Sequence, residues 1–405
     1  MNNFWLDNHP FFRLNNIDTV RMFVENYQSP CFVYSTDVIA RQYNNLKKSL
    51  PDYFNIFYAQ KSNPHPDILR CLNLLGSGCD TASEGEVNAA LSAGFPSSKI
   101  IMTGPAKTNQ EITYAINNSV LSINIESLQE AHLVSQISKQ TGNKQNVMLR
   151  INPTFEAGEK NRIIGGMGVS KFGIDADQIP EVIAEIMKLK NINIHGIHIF
   201  NSSQILDWRR IYQNTKDVVE MAMKISKQYN LELKYIDAGG GFGIPYEENE
   251  KELDIENLGN KLNELIRSSE YSSYLSGISI IFEPGRYLSG QCGIYLTKVL
   301  YTKESGGKNI ALVDGGIHHM LRPALIGHRH PIINLTAIIE NRSKTKEYIV
   351  AGPLCTSFDQ FDDKAILNEV NPGDVLAILN AGAYGYTESM PLFLSHKPAS
   401  EIFIN

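Results

Sequence analysis

Residues 54–64 read Phe54-Asn55-Ile56-Phe57-Tyr58-Ala59-Gln60-Lys61-Ser62-Asn63-Pro64. Aromatic and β-branched residues over 54–58 favour a strand, and Asn63-Pro64 ends it. Lys61 stands at the C-terminal end of that run. In a parallel α/β barrel this end is the face on which active sites are built. A buried, partly desolvated amine there can lose its proton and attack a carbonyl. Taken alone, a lysine at a strand end is more often simply solvated. The flanking chain decides between the two.

Working outward, the pattern alternates. Upstream, 31–35 reads as a strand, and Thr36-Asp37 caps a helix reaching about residue 50. Downstream, helices are predicted over 66–75, 83–93, 108–117, 127–141, 176–188, 208–229 and 253–267. Strands are predicted between them, over 78–82, 100–102, 121–125, 147–151, 195–200, 235–238 and 278–282. Such alternation indicates βαβ units and a parallel sheet. About eight units in roughly 240 residues fit an α/β fold with a closed (β/α)8 TIM-like barrel better than an open sheet. After about residue 285 the texture changes. Strand-like runs at 293–300, 309–313, 346–350 and 375–378 are separated by Gly, Pro and charged turns, which predicts a second, mostly β domain. The expected division is a barrel over 34–276 and a β-rich domain built from 1–33 plus 277–405. Residues 1 to about 30 are mixed, punctuated by Pro10 and Pro30.

The 405 residues carry a net charge of -6 with no basic cluster, so nothing favours a nucleic-acid partner. No apolar run approaches the ~20 residues of a membrane span. Met1 to Asp7 lacks the basic start and apolar core of a signal peptide. Cys31, Cys71, Cys79, Cys292 and Cys355 are odd in number and scattered, which argues against a disulfide framework or a metal site and for a reducing cytoplasm.

Further motifs carry chemistry. Asp237-Ala238-Gly239-Gly240-Gly241-Phe242-Gly243 follows a strand. Its glycines let backbone amides approach an anion, and a following helix end would add its dipole. A tight turn without a ligand is the equal alternative. Glu283-Pro284-Gly285-Arg286 puts a carboxylate and a guanidinium on one turn, suited to a protonated ring nitrogen and a phosphate, or to a structural ion pair. His198 can pack in a core or stack on a planar cofactor. Cys355, in Gly352-Pro353-Leu354-Cys355-Thr356, can be a proton donor or an inert turn residue. Tyr384, in Ala381-Gly382-Ala383-Tyr384-Gly385, can reach a ligand or pack.

In this order the motifs resemble the fold-type III decarboxylases that use pyridoxal 5′-phosphate (PLP), the ornithine and diaminopimelate decarboxylase family with its alanine-racemase-like barrel. The resemblance runs from about residue 30 to 400 and includes Cys79-Asp80-Thr81-Ala82-Ser83-Glu84-Gly85-Glu86. It implies a Schiff-base lysine at Lys61, a ring-stacking His198, and a phosphate grip from Gly239, Gly240, Gly241, Arg286 and Tyr384. It implies Glu283 at the pyridine nitrogen, with Asp80 and Arg150 near the cofactor. Cys355 would be the general acid, reaching across a homodimer interface, and Arg322 would read a substrate carboxylate.

The departures concern the substrate. Where the diaminopimelate enzymes carry a glutamate after the cysteine, and the ornithine enzymes an aspartate, this chain has Thr356. Ile326 replaces a tyrosine after Arg322-Pro323-Ala324-Leu325. Phe200-Asn201-Ser202-Ser203-Gln204 replaces a small-residue turn after His198, which puts the phosphate contact on Asn201 or Ser202. Other segments, among them Asp314-Gly315-Gly316-Ile317-His318-His319, are similar to the butirosin-pathway branch, which decarboxylates a glutamyl group on an acyl carrier protein. The expectation is an amino-acid decarboxylase for a specialised, acyl-linked or carrier-tethered substrate, in natural-product metabolism. The rivals are diaminopimelate decarboxylase, a racemase, and a non-catalytic PLP binder. A carboxylate at Glu283 favours decarboxylation over racemisation, and retention of Lys61 with Cys355 argues against a pure binder.

Overall fold

The computed structural model describes residues 4–14, 17–26, 28–153, 170–327 and 329–404. Two compact units are distinguished. One holds Gln42–Ile244 and Glu252–Gly285, the other Met1–Arg41, Pro245–Lys251 and Arg286–Asn405.

Along the chain, β1 (Cys31–Ser35) and the helix Thr36–Ser49 precede β2 (Phe54–Ala59), β3 (Gly78–Thr81), β4 (Ile100–Met102), β5 (Ser122–Ile125) and β6 (Gln145–Asn152). Then come β7 (Ile174–Asp175), β8 (Ile192–His198), β9 (Tyr235–Asp237) and β10 (Ser279–Phe282). Parallel ladders join β2 through β6 in order, then β6 to β8, β8 to β9, β9 to β10 and β10 back to β2. The sheet therefore closes into an eight-stranded barrel, with β7 a short addition beside β6. Phe57, Ile101, Met148 and Ile281, from four strands, form one buried apolar cluster of this unit.

The helices between strands start where their caps place them. Ser83 accepts from Glu86 N, Ser127 from Glu130 N and Asp254 from Asn257 N, and Thr108 forms a full capping box with Glu111. These bonds satisfy amides that the first helical turn leaves unpaired. The expected domain boundary at 276/277 falls before β10. Because β10 pairs with both β9 and β2, the barrel unit runs on to Gly285.

The second unit is built on β11 (Gly293–Ser305), β12 (Lys308–Val313), β13 (Ile332–Asn334), β14 (Thr345–Ala351), β15 (Gln360–Asn368), β16 (Val375–Ile378) and β17 (Ser400–Ile404). Long β11 pairs antiparallel with β1, β12 and β16, so it is the spine of the sheet. Three short helices, Phe4–Asn8, Pro10–Leu14 and Ile17–Asn26, precede β1. They carry Trp5, Phe11, Phe12 and Phe23 into a core with Cys31, Val33, Ile294, Leu296 and Leu379. Burial of one such aromatic is worth about 1.5–3 kcal/mol, which ties this stretch to the β unit. All five cysteines are free thiols. Among the described residues no helix is long and apolar enough to cross a membrane.

Candidate functional site

The barrel strands end in polar residues that no core would need. Lys61 follows β2 in a short 3-10 turn, Asp80 lies in β3, Glu126 follows β5, and Arg150 lies in β6. His198 ends β8, Asp237 ends β9, and Glu283 follows β10. All belong to the carboxyl-end half of their strands, the half that carries barrel active sites. The Lys61 side chain is 42% exposed, more open than the buried amine expected from sequence. Its Nζ stands 3.9 Å from Asp80 Oδ2 and 4.8 Å from the centre of the Phe200 ring. Asp80 Oδ1 accepts from Thr103 Oγ1 at 2.6 Å, and Asn124 Nδ2 in turn donates to Thr103 at 3.1 Å.

Arg150 is committed to a neighbour. Its Nη1 donates to Glu126 Oε1 at 2.8 Å, and its guanidinium lies 4.6 Å from the Phe172 ring centre. Glu126 also accepts from the amides of Gly104 and Gly173. The arginine thus fixes the barrel rim through Glu126.

His198 Nε2 is 3.4 Å from Glu283 Oε2, with both side chains buried. Asp237 completes a trio whose polar atoms lie within 4.8 Å of one another. Burial opposes ionisation of all three nearby carboxyls, but their neighbours separate them. Burial opposes the charge of Glu283, yet His198, Lys61 and a hydrogen bond from Asp237 together hold it down at about 2. Burial and the Glu283 charge push Asp237 well above the carboxylate range. Burial and the same charge push Asp80 up to about 8, against the pull of Lys61. One carboxylate, Glu283, carries the charge.

The glycine turn lies beside it. Gly239 and Gly241 have φ of +69° and +94°, a region that side chains disfavour. A Cβ on Gly240 would stand 2.3 Å from Glu283 O, and one on Gly239 2.6 Å from Ile199 O. No helix follows the turn closely. The next begins at Ile255, so the dipole contribution expected from sequence is absent.

PLP fits this donor set. His198 Nδ1 and both side-chain amide atoms of Asn201 are buried without a protein hydrogen-bond partner, which leaves them open to a ligand or water. An ionised carboxylate suits a protonated ring nitrogen, and the side-chain-free turn suits a phosphate.

The second unit holds its own cationic cluster. Arg286 Nη1 donates to Tyr246 Oη at 2.8 Å, and the Arg286 Nε is buried without a partner. The Arg286 and Arg322 guanidiniums lie 5.0 and 4.5 Å from the Tyr384 ring centre. Tyr384 has φ +57°, a left-handed conformation rare outside glycine and frequent at functional sites. Arg322 Nη1 is 2.6 Å from Glu388 Oε2.

Cys355 is exposed, as a turn thiol should be. Its loop is organised by Asp359, whose carboxylate accepts from Ile317 N and Leu354 N, each at 2.7 Å. Glycines at 316 and 352 admit that carboxylate, since a Cβ on either would lie within 2.4 Å of it. Thr356 Oγ1 accepts from Phe358 N at 3.2 Å, so its hydroxyl is engaged within the loop. Sequence reasoning did not single out Glu126, Phe200, Asp237, Tyr246, Asp359 or Glu388 as site residues. Glu126 and Asp237 had a usable signal, a carboxylate at a barrel-strand end. The others depend on tertiary contacts.

The comparisons with known proteins agree with this geometry. The family model for the pyridoxal binding domain of pyridoxal-dependent decarboxylases matches residues 36–290. Diaminopimelate decarboxylase of Aquifex aeolicus is 33% identical over 371 residues, covering 92% of this chain and 86% of that protein. L-glutamyl-[BtrI acyl-carrier protein] decarboxylase of Niallia circulans is 29% identical over 383 residues, covering 93% and 89%. Whole-chain similarity therefore does not single out the carrier-protein branch that the short motifs favour. The crystal structure of diaminopimelate decarboxylase from Helicobacter pylori complexed with L-lysine superposes with a TM-score of 0.85 at 30% identity, covering 95% of this chain and 94% of that one. Matches of this extent leave one conclusion: the chain belongs to the pyridoxal-dependent decarboxylases, and is a PLP-dependent carboxy-lyase acting on an amino acid.

Proposed function

We propose that this decarboxylase removes the α-carboxylate of an L-amino acid whose side chain ends in an uncharged, acyl-linked group, borne on a carrier protein or within a peptide-like or siderophore-like natural product. The observation that carries this reading is Thr356 with Ile326. Neither carries a charge to set against a distal ammonium or carboxylate, and the Thr356 hydroxyl accepts from Phe358 N at 3.2 Å.

PLP, when bound, supplies a sink for the electron pair left at Cα as carbon dioxide departs. Lys61 would hold it covalently through Nζ. Glu283, ionised, would keep a proton on the ring nitrogen by opposite-charge stabilisation. His198 would pack against the ring face, and its Nε2, 3.4 Å from Glu283 Oε2, supports the Glu283 charge. The amides of Gly239, Gly240 and Gly241 would take the phosphate with Asn201, and the resemblance assigns Arg286 and Tyr384 to the same group. Asp80 orients the Lys61 amine, and Arg150 holds the rim through Glu126. Cys355 delivers its Sγ proton to the substrate Cα from the partner subunit of a homodimer. Exposed apolar side chains in the unit that carries Cys355, Phe358 at 55%, Leu325 at 55% and Leu392 at 89%, support burial against a second copy. Five free thiols support a reducing cytoplasm.

Purified holoenzyme should release carbon dioxide faster from a γ-acylated amino acid, free or on an acyl carrier protein, than from diaminopimelate or ornithine. Fastest release from either free diamino acid overturns the reading. A second reading, diaminopimelate decarboxylase, is favoured by Arg322 and by the 33% identity to the Aquifex aeolicus enzyme, and the same assay decides for it.

A further inference from the structure

The cluster around Tyr384 contains a charge balance that the family motifs do not describe. Arg286 and Arg322 are both buried and both lie over the Tyr384 ring. Among the described residues one carboxylate, Glu388, is paired with them, and it contacts Arg322 rather than Arg286. Glu388 Oε2 is 2.6 Å from Arg322 Nη1, with the arginine side chain 8% and the glutamate 34% exposed. A charge-assisted contact this short, largely out of water, keeps its geometry better than a surface pair. The Arg322 charge is therefore compensated within the chain.

That compensation changes what Arg322 can recognise. An unpaired guanidinium attracts a ligand carboxylate. A guanidinium already holding Glu388 presents its remaining N–H donors but little net charge. A second carboxylate brought there would face the Glu388 charge, and like-charge juxtaposition is strongly unfavourable at a poorly solvated site. A neutral carbonyl oxygen meets no such repulsion and can accept from the free N–H groups.

We propose that Glu388 is a specificity-determining residue: by holding Arg322 in a neutral pair it rejects a free distal carboxylate and admits an amide, ester or thioester carbonyl. This rests on the reading that Arg322 faces the substrate's side chain. It deepens the acyl-linked assignment by naming a group that enforces it. Thr356 and Ile326 only remove charge readers, whereas Glu388 adds a repulsive element, and discrimination commonly uses both.

The test compares L-glutamate with its γ-N-methylamide, which differ at the distal group alone, and includes meso-diaminopimelate. Binding to holoenzyme is read from the cofactor absorbance, and kcat and KM are measured where turnover occurs. Wild-type enzyme is expected to favour the amide over glutamate by at least tenfold. Glu388→Gln is expected to shrink that ratio at least tenfold, through tighter glutamate binding and a lower KM rather than a raised kcat. Glu388→Asp, which keeps the charge, is expected to restore the preference. Glu388 also acts electrostatically on Arg286. PLP affinity is therefore measured for each variant, and a change in ratio that merely follows cofactor loss overturns the proposal. If wild-type enzyme prefers the amide and Glu388→Gln leaves the ratio unchanged, Glu388 is not the discriminator, though the acyl-linked reading stands. If wild-type enzyme prefers diaminopimelate to both probes, the acyl-linked reading itself fails.

Discussion

Gly240→Ala distinguishes a ligand cradle from a mere corner. A Cβ on Gly240 would stand 2.3 Å from Glu283 O, 3.1 Å from its carbonyl carbon and 3.5 Å from the Phe200 ring. Ordinary C···O contacts are about 3.3–3.6 Å, so the turn must retreat by about 1 Å. The obstacle is main chain and cannot rotate away. The Glu283 amide donates to Gly239 O at 2.8 Å, so Glu283 and the turn move together or break apart. Gly240 has no positive φ, unlike its two glycine neighbours, so the added methyl acts by bulk and not by backbone strain.

Overpacking of this kind costs about 1–3 kcal/mol. At about 2 kcal/mol, the melting temperature of a unit this size falls by about 4–8 °C. If the displaced amides also hold the phosphate, a comparable loss appears in the bound state, and PLP affinity falls about 30-fold. The assay is thermal melting of apoenzyme together with PLP titration by absorbance. A lowered melting temperature with wild-type affinity would refute the cradle and leave a tight turn. An unchanged melting temperature would refute the steric reasoning itself.

Asp80→Asn tests the buried acids. The Asp80 carboxyl is pushed up to about 8, so between about pH 4 and 8 folded protein holds a proton that unfolded chain has released, and stability falls as pH rises through that window. Glu283, held down at about 2, acts oppositely and only below about pH 4.5. Apo Asp80→Asn should show a flatter loss of unfolding free energy from pH 5 to 8, by on the order of a few kcal/mol, with Asp237 keeping part of the slope; an unchanged slope refutes this. Glu126→Gln leaves Arg150 buried beside a neutral group and should cost about 3–5 kcal/mol, read by denaturant unfolding. Cys355→Ala should retain bound PLP while losing product formation or stereochemical fidelity of proton delivery in deuterated water. An unchanged reaction removes Cys355 from the mechanism.

The barrel was legible because its period is long and regular. Each predicted strand and helix from 31 to 282 has a counterpart, since capping residues such as Ser83, Thr108 and Ser127 mark the helix starts in the sequence itself. The first 30 residues were not legible. Their helices of five, five and ten residues are too short to display a 3.6 period, and Trp5 and Phe11 find their place only against Ile294 and Leu296, far along the chain. β15 was missed because Asp362, Asp363 and Lys364 interrupt its apolar pattern, and pairing with β14 overrides that local preference. Among the site residues, Lys61, Asp80, His198 and Glu283 stand at or near barrel-strand ends, as their motifs indicated. The partner of Arg150, Glu126, was not legible, because it follows a different strand and no spacing in sequence links them.

What sequence could not supply was the distribution of charge. Asp80, Asp237 and Glu283 are three acids of one chemical type, and motif position alone offers no reason for one to differ. The difference is environmental. His198 Nε2 is 3.4 Å from Glu283, whereas Asp237 meets mainly burial and the Glu283 charge itself. Once one of two close carboxyls ionises, it suppresses the other, so the histidine's choice of partner settles both. Glu283→Gln should then do more than delete a charge, because Asp237 is released to ionise in its place. A double variant, Glu283→Gln with Asp237→Asn, should accordingly lose more decarboxylase activity than Glu283→Gln alone. Equal activity of the two variants would show that Asp237 is no reserve for the charge and that His198 does not decide its location.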